Sequence, residues 1–192
     1  LLWSKTNYKR FEEFEGIKIA DITTKLKKGT VPTKAIEHSI PEWLVETLEK
    51  ELGEKWEKEM IALNEKAPTV LRANSLRTTP RELISDLSDE NVNAFTIRNY
   101  PDAVQLEEKK NVFLTTAFKE GLFEVQDASS QKIGYFLDVK EGQRVVDACA
   151  GAGGKTLHLA ALMGNKGQII ALDIFEWKLA ELKRRAKRAG AH

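Results

Sequence analysis

"VVDACAGAGGKT", residues 145–156, decides how the second half of the chain folds. Two valines and Asp147 close an apolar strand, a run of small residues turns the chain, and Gly-Gly-Lys-Thr opens a helix. Strand, glycine turn and helix form the first unit of a doubly wound α/β sheet. Forward of it, 156–163 reads as a helix with Leu157, Ala160 and Ala161 on its inner face. Residues 168–172 read as a second buried strand, and 175–189 as a helix turning Leu179, Leu182, Ala186 and Ala189 inward. Behind it, 144–148 is a buried strand after the turn "KEGQ", and Asp127 caps a helix running through Ile133 and Phe136 to Leu137. The order β-α-β-α is the opening half of a Rossmann-like sheet.

Three ligands compete for the turn. A triphosphate loop needs G-x-x-x-x-G-K-[ST]. Gly154, Lys155 and Thr156 supply its end, but Cys149 stands where the first glycine must bend around phosphate. A dinucleotide loop needs G-x-G-x-x-G. Gly151 and Gly153 fit, Thr156 does not, and Asp147 is awkward beside a pyrophosphate. S-adenosylmethionine has no phosphate and carries a cationic tail, so its site wants an acid at the strand end and small residues that admit it to the backbone. Asp147, Gly151 and Gly153 meet that need. A second acid should end the next strand and bond the two ribose hydroxyls; Asp173 stands there, about twenty residues on. The competing role for Asp173 is a plain N-cap for "IFEWKL".

The rest of the chain adds two more pieces. Residues 1–66 read as mostly helical, with "KKGTVP" as an exposed loop. In "SIPEW", Ser39 and Glu42 have capping-box spacing and Pro41 falls in the first turn. Leu44, Val45, Leu48 and Leu52 then share a face, Gly53 ends that helix, and a further helix holds Trp56, Met60, Ile61 and Leu63. "NEKAP" is a linker. Residues 67–126 read β-α-β-β-α-β, a small split βαβ domain. Its strands fall near 70–74, 94–98, 103–106 and 122–126, its helices at 80–87 behind Thr79 and at 115–119, and "NYPD" is a turn. Residues 127–192 are then the first part of the larger α/β domain.

Bulk properties set the frame. The 192 residues are 42% hydrophobic and 31% charged, which suits one or two small domains with real cores. Net charge is +1, so total charge predicts no partner. Charge is uneven, however: 41–65 is rich in glutamate, whereas the last helix carries Lys183, Arg184, Arg185, Lys187 and Arg188, a cluster able to meet phosphate or simply to face solvent. No run has the length of a membrane span and no signal-peptide pattern opens the chain. Cys149 stands alone, so no internal disulfide forms, which fits a cytoplasmic protein. His38, His158 and His192 are too scattered to suggest a metal site or a triad. A start at Leu1 and a stop at "RAGAH" read as a piece of a longer protein.

These residues carry a family likeness. Gln126-Asp127 with Ser129-Ser130, then Asp147-Ala148-Cys149-Ala150 with Gly153-Gly154-Lys155-Thr156, resemble the lead-in and cofactor loop of the RsmB/NOP2/Sun RNA 5-methylcytosine methyltransferases. "LRAN", residues 71–74, is similar to the entry of that family's small domain, and "IPEWL", residues 40–44, to the helical lead-in of its bacterial ribosomal-RNA branch. The resemblance runs from about residue 38 to the end. It implies an α/β chain: a helical segment, a small RRM-like split βαβ domain, then the first β-α-β-α of a Rossmann-like methyltransferase domain. It implies a pocket for S-adenosylmethionine lined by Cys149, Ala150, Gly151, Ala152, Gly153, Gly154 and Lys155, with Asp173 on the ribose. Where the family has Ala-Pro this chain has Gly151-Ala152, which loosens the turn.

The resemblance also implies a reaction and a limit. Carbon 5 of cytosine is a poor nucleophile, and adding a thiolate to carbon 6 activates it. The family's two cysteines for this step, in a Pro-Cys and a Thr-Cys motif, fall past His192, so this stretch alone is expected to be inactive. Cys149 reads as part of the cofactor turn or a small buried hydrophobe, not as the nucleophile. RNA, in particular ribosomal RNA, is the expected partner, with Arg72, Arg77, Arg81 and Arg98 as candidate phosphate contacts. No membrane and no metal are expected, and an unpaired strand edge would favour self-association. The rival readings are a non-catalytic RNA-binding module and a nicotinamide-dependent dehydrogenase.

Overall fold

A computed structural model describes residues 33–192. The reading of the first 32 residues, with "KKGTVP", lies outside the described residues. The chain forms two compact units that divide between Lys66 and Ala67.

In the first unit, Thr33 caps helix α1 (Lys34–His38) through its side chain. Helix α2 (Glu42–Leu52) ends at Gly53, and helix α3 (Trp56–Asn64) comes after a single 3-10 turn. Ala35, Val45, Trp56 and Met60 form the core, with Ile40 and Leu48 against it. Ile61 and Leu63 stay exposed. The expected capping box at "SIPEW" does not form. Ser39 is consumed by the helix before it: it adopts φ 58 and its N–H closes α1 onto the carbonyls of Ala35 and Ile36. Pro41 becomes the N-cap of α2 without a side-chain bond, and the Glu42 carboxylate accepts from Thr33 Oγ1 instead.

The second unit opens with the split βαβ pattern. Strands β1 (Val70–Ala73), β2 (Ala94–Thr96), β3 (Ala103–Leu106) and β4 (Phe123–Val125) make one antiparallel sheet in the order β2-β3-β1-β4. Helices α4 (Pro80–Asp89) and α5 (Thr116–Lys119) are the intervening crossovers. Thr79 and Glu82 cap α4 reciprocally, each side chain accepting from the other's backbone N–H. Strand residues alternate faces. Leu71, Ala73, Val104, Leu106 and Phe123 therefore join Leu83 and Leu87 in one core. Arg72 points to the opposite face, and Glu124, its register partner across β1 and β4, points there too. Both are buried.

The remainder of the unit covers that second face. Asp127 caps helix α6 (Ala128–Phe136), which packs on β1 and hangs from it through Gln131, whose amide donates to the carbonyls of Leu71 and Gln126. Strand β5 (Arg144–Asp147) and strand β6 (Gln168–Ala171) pair in parallel, Asp147 opposite Ala171. Helix α7 (Gly154–Leu162) connects them, and helix α8 (Glu176–Ala189) comes last. The two strands are not buried as their apolar runs suggest. Their residues alternate between exposed and half-buried, and Val146 is 59% exposed. Helix α7 packs on β6, while Val146, Ile170 and Leu172 stay exposed on the second face of the pair.

A buried polar cluster lies between these layers. Tyr135 donates its hydroxyl to Asp102 Oδ2 at 2.5 Å, and His158 Nε2 lies 3.5 Å from the same oxygen. His158 lies within α7 and is 1% exposed, and a Cβ on Gly134 would come 2.5 Å from its Nδ1. Burial holds its ring below the usual pKa of 6.5, against the pull of Asp102 and with the help of Arg72. Burial pushes the Asp102 carboxyl up, but the neighbouring His158 ring and the bond from Tyr135 outweigh it and hold the group below its ordinary value. Below pH 6.5 the unfolded chain binds a proton at His158 that the native ring still refuses, so native stability falls as pH drops through that window. Urea denaturation at pH 7.5 and pH 5 should show this loss, and His158→Phe should flatten it. A slope left unchanged by His158→Phe would place the titration elsewhere.

Candidate functional site

The turn between β5 and α7 is built by its neighbours rather than by its own side chains. Gly151 sits at φ 55 and Gly153 at φ 91, conformations that suit glycine. At Gly153 the fit is also tight, since a Cβ there would lie 2.7 Å from Leu182 Cγ on α8. At Gly151 and Gly154 nothing lies within 4 Å of a Cβ position, so the turn is open on that side. The N–H of Ala150 donates to the carbonyl of Leu172, which ties the turn to the end of β6.

Asp173 stands just past that end. Its Oδ2 accepts from the Gly151 N–H at 2.9 Å and its Oδ1 from the Phe175 N–H at 2.9 Å. Phe175 holds the N-cap position of helix α8 without a side-chain bond, so Asp173 serves the helix start through the Phe175 N–H and the turn through the Gly151 N–H at once. The Phe175 N–H, and after it the Gly151 N–H and the Lys178 ammonium 3.9 Å away, keep the carboxyl below its ordinary pKa despite some desolvation. Each carboxylate oxygen has a second lone pair for a hydroxyl donor. Asp147, the other acid, accepts from Thr156 Oγ1 at 2.7 Å, which pins the strand end to the first turn of α7.

The structure thus brings Gly151 and Asp173 into contact and leaves Lys155 exposed. Cys149 is exposed too, so the buried-hydrophobe reading of it is wrong. Ile174, beside Asp173, is 90% exposed. Several of the expected RNA contacts are engaged inside the protein instead. Arg72 is 1% exposed and donates to Gln126 Oε1 and to the Gly154 carbonyl. Arg77 donates Nε to the Ala189 carbonyl but stays exposed. Arg185, from the basic helix, pairs with Glu124 and donates to the Ala152 carbonyl, while Arg188 pairs with the other oxygen of Glu124. Arg81 and Arg98 are not among the buried residues. Sequence reasoning misses Arg72 and Arg185 as neighbours of the loop. The legible signal for Arg72 is its place inside an apolar strand, where a solvent-facing arginine would need an open sheet face.

Elsewhere, Glu37, His38 and Glu57 gather in the first unit, with Glu57 already paired to Lys34 at 3.3 Å. No helix among the described residues is long and apolar enough to cross a membrane.

Comparison with known proteins fits this geometry. Residues 40–113 match the ferredoxin-like domain of RsmF/B-like methyltransferases, and residues 134–192 match the 16S rRNA methyltransferase RsmB/F family. The ribosomal RNA small subunit methyltransferase B of Proteus mirabilis is 33% identical over 152 residues, 79% of this chain and 36% of that protein. The crystal structure of PH0851 superposes at TM-score 0.76 with 33% identity, over 82% of this chain and 36% of that one. A methyltransferase homolog protein from Pyrococcus horikoshii gives TM-score 0.73 at 28% identity, over 83% of this chain and 52% of that one. The chain spans about a third of the length of the curated relatives it matches.

Proposed function

The chain belongs to the RsmB/F family of 16S rRNA methyltransferases, and on that premise we propose that it forms the cofactor-loop part of an enzyme that methylates carbon 5 of a cytosine in ribosomal RNA. The observation that carries the reading is the bond from Gly151 N–H to the Asp173 carboxylate, which sets an acid at the end of the second parallel strand against an open glycine turn. S-adenosylmethionine fits that acceptor: its ribose hydroxyls can donate to the free lone pairs of Asp173, and no pyrophosphate has to face an acid. When bound, the cofactor supplies the methyl group.

Residues of the chain bind and orient. Cys149, Ala150, Gly151, Ala152, Gly153, Gly154 and Lys155 line the pocket, and Asp173 fixes the ribose. Asp147 acts through Thr156 to hold the turn. Cys149 is assigned to the pocket wall, and no residue of this stretch to attack on the base. Arg77, Arg81 and Arg98, all exposed, are the cations of the small domain assigned to RNA phosphate. The sheet face that an RRM-like domain could offer to bases is taken up by packing, with Arg72 and Glu124 buried on it.

The test is cofactor binding and transfer in the intact natural protein that contains this chain. Calorimetry should show binding of S-adenosylmethionine and none of a nicotinamide dinucleotide, and labelled methyl should appear on cytosine of small-subunit RNA. Asp173→Asn keeps one acceptor oxygen and turns an NH2 on the other of its two backbone N–H donors, so the S-adenosylmethionine Kd should rise about ten- to hundredfold, with a modest fall in melting temperature beside it. RNA binding with no cofactor binding would favour the non-catalytic RNA-binding module.

A further inference from the structure

Two carbonyls of the cofactor turn are held by arginines that answer to the small domain. Arg72 of β1 donates Nη1 to the Gly154 carbonyl at 2.7 Å. Arg185 of α8 donates Nη1 to the Ala152 carbonyl at 2.9 Å. Glu124 of β4 joins them: it stands opposite Arg72 in the strand register and accepts Arg185 Nη2 at 2.7 Å and Nε at 3.1 Å. Glu124 is 3% exposed and Arg72 1%, so both anchors sit away from water. Burial lowers the pKa of Arg72 to about 10, so it stays charged near neutral pH. The turn itself has two glycines at positive φ and no proline. Left alone it has few means of keeping one shape.

We infer that Arg72 and Arg185 are positioning residues that hold the cofactor turn in its binding shape, and that the small domain, through Gln126 for Arg72 and Glu124 for Arg185, sets where they stand. A planar guanidinium with several fixed donors can bridge a carboxylate and a carbonyl at once; a lysine ammonium lacks that fork. The small domain thereby serves the cofactor site as well as any RNA. This inference rests on the proposed cofactor reading, and part of its test is independent of any ligand.

The experiment uses the intact natural protein with Arg185→Met and Arg185→Lys, the lysine variant keeping a charge should the methionine variant fold poorly. Without ligand, hydrogen exchange is read at Gly151 and Gly153 and, for contrast, at Ile169 and Ile170 of β6. With ligand, the S-adenosylmethionine Kd and the RNA Kd are read side by side. Arg185→Met should speed exchange at the two glycines about tenfold beyond any rise at Ile169 and Ile170, and raise the cofactor Kd about five- to thirtyfold with RNA affinity unchanged. Arg185→Lys should fall between. Unchanged exchange at the glycines, or an equal rise across β6, would overturn the inference, since the arginine would then serve general stability. If the wild-type protein bound no S-adenosylmethionine while exchange still rose at the turn, the positioning role would stand and the cofactor reading would fall.

Discussion

Replacing Glu124 by leucine should destabilise the unit spanning 67–192 by about 3–5 kcal/mol, because it removes the shared acceptor of two arginines and leaves their charges uncompensated. Leucine is close in size, so a cavity contributes little. What is lost is an acid 3% exposed that accepts from Arg185 and, at 2.5 Å, from Arg188, and that faces Arg72 across the strand pair. Removing it leaves three guanidinium groups in one buried region. The side chains of Arg185 and Arg188 are 17% and 21% exposed, so some rehydration places the loss toward the lower end of that range. Urea denaturation of the protein with and without the change measures it. A cycle with Arg188→Met should recover part of the loss, since the second change removes one of the orphaned charges. A loss below about 1 kcal/mol would mean that the arginines swing out to water and that the buried network does not hold the layers together.

The elements themselves are largely legible in the sequence, and the failures share one cause. Alternation and turn chemistry place β1 to β4, α4 behind Thr79, α6 behind Asp127, and the β5-turn-α7 unit. Local signals suffice where a residue answers to its own neighbours in sequence. They fail where the answer comes from another element. Ser39 reads as the start of α2 because the spacing to Glu42 fits, but α1 uses it as its own end. Arg72 reads as an RNA contact because arginine usually faces water, yet its partners are Gln126 and Gly154, far along the chain. Val146 and Ile170 read as buried because they are apolar, but burial needs a covering layer that the described residues do not supply. The site is legible in its acids and glycines, Asp147, Gly151, Gly153 and Asp173. The bonds that set their roles, Thr156 on Asp147 and Gly151 on Asp173, join residues 9 and 22 positions apart, and no local pattern announces them.

Gly121→Ala should cost about 2–4 kcal/mol, more than a methyl group suggests, because two separate penalties meet at one atom. The first is conformational. Gly121 sits at φ 71, where an L side chain is strained by about 1 kcal/mol. The second is contact. A Cβ there would overlap the Arg188 carbonyl oxygen and lie 2.7 Å from its carbon and 3.0 Å from the Ala189 Cα. These are backbone atoms of the last turn of α8, so no rotamer change relieves them. The same turn is gripped by Asn74, whose amide donates to both the Gly121 and Ala189 carbonyls at 2.8 Å. Moving α8 away to admit the methyl group would stretch those bonds and pull Arg185 from Glu124. Gly142→Ala separates the two penalties, since Gly142 also has a positive φ, at 81, but nothing lies within 4 Å of its Cβ position. It should lose only about 1 kcal/mol. If urea denaturation showed equal losses for the two variants, the contact would count for nothing and α8 would be free to slide on the small domain. A larger loss at Gly121 means that glycine is required there because a second piece of backbone occupies the space a side chain would need.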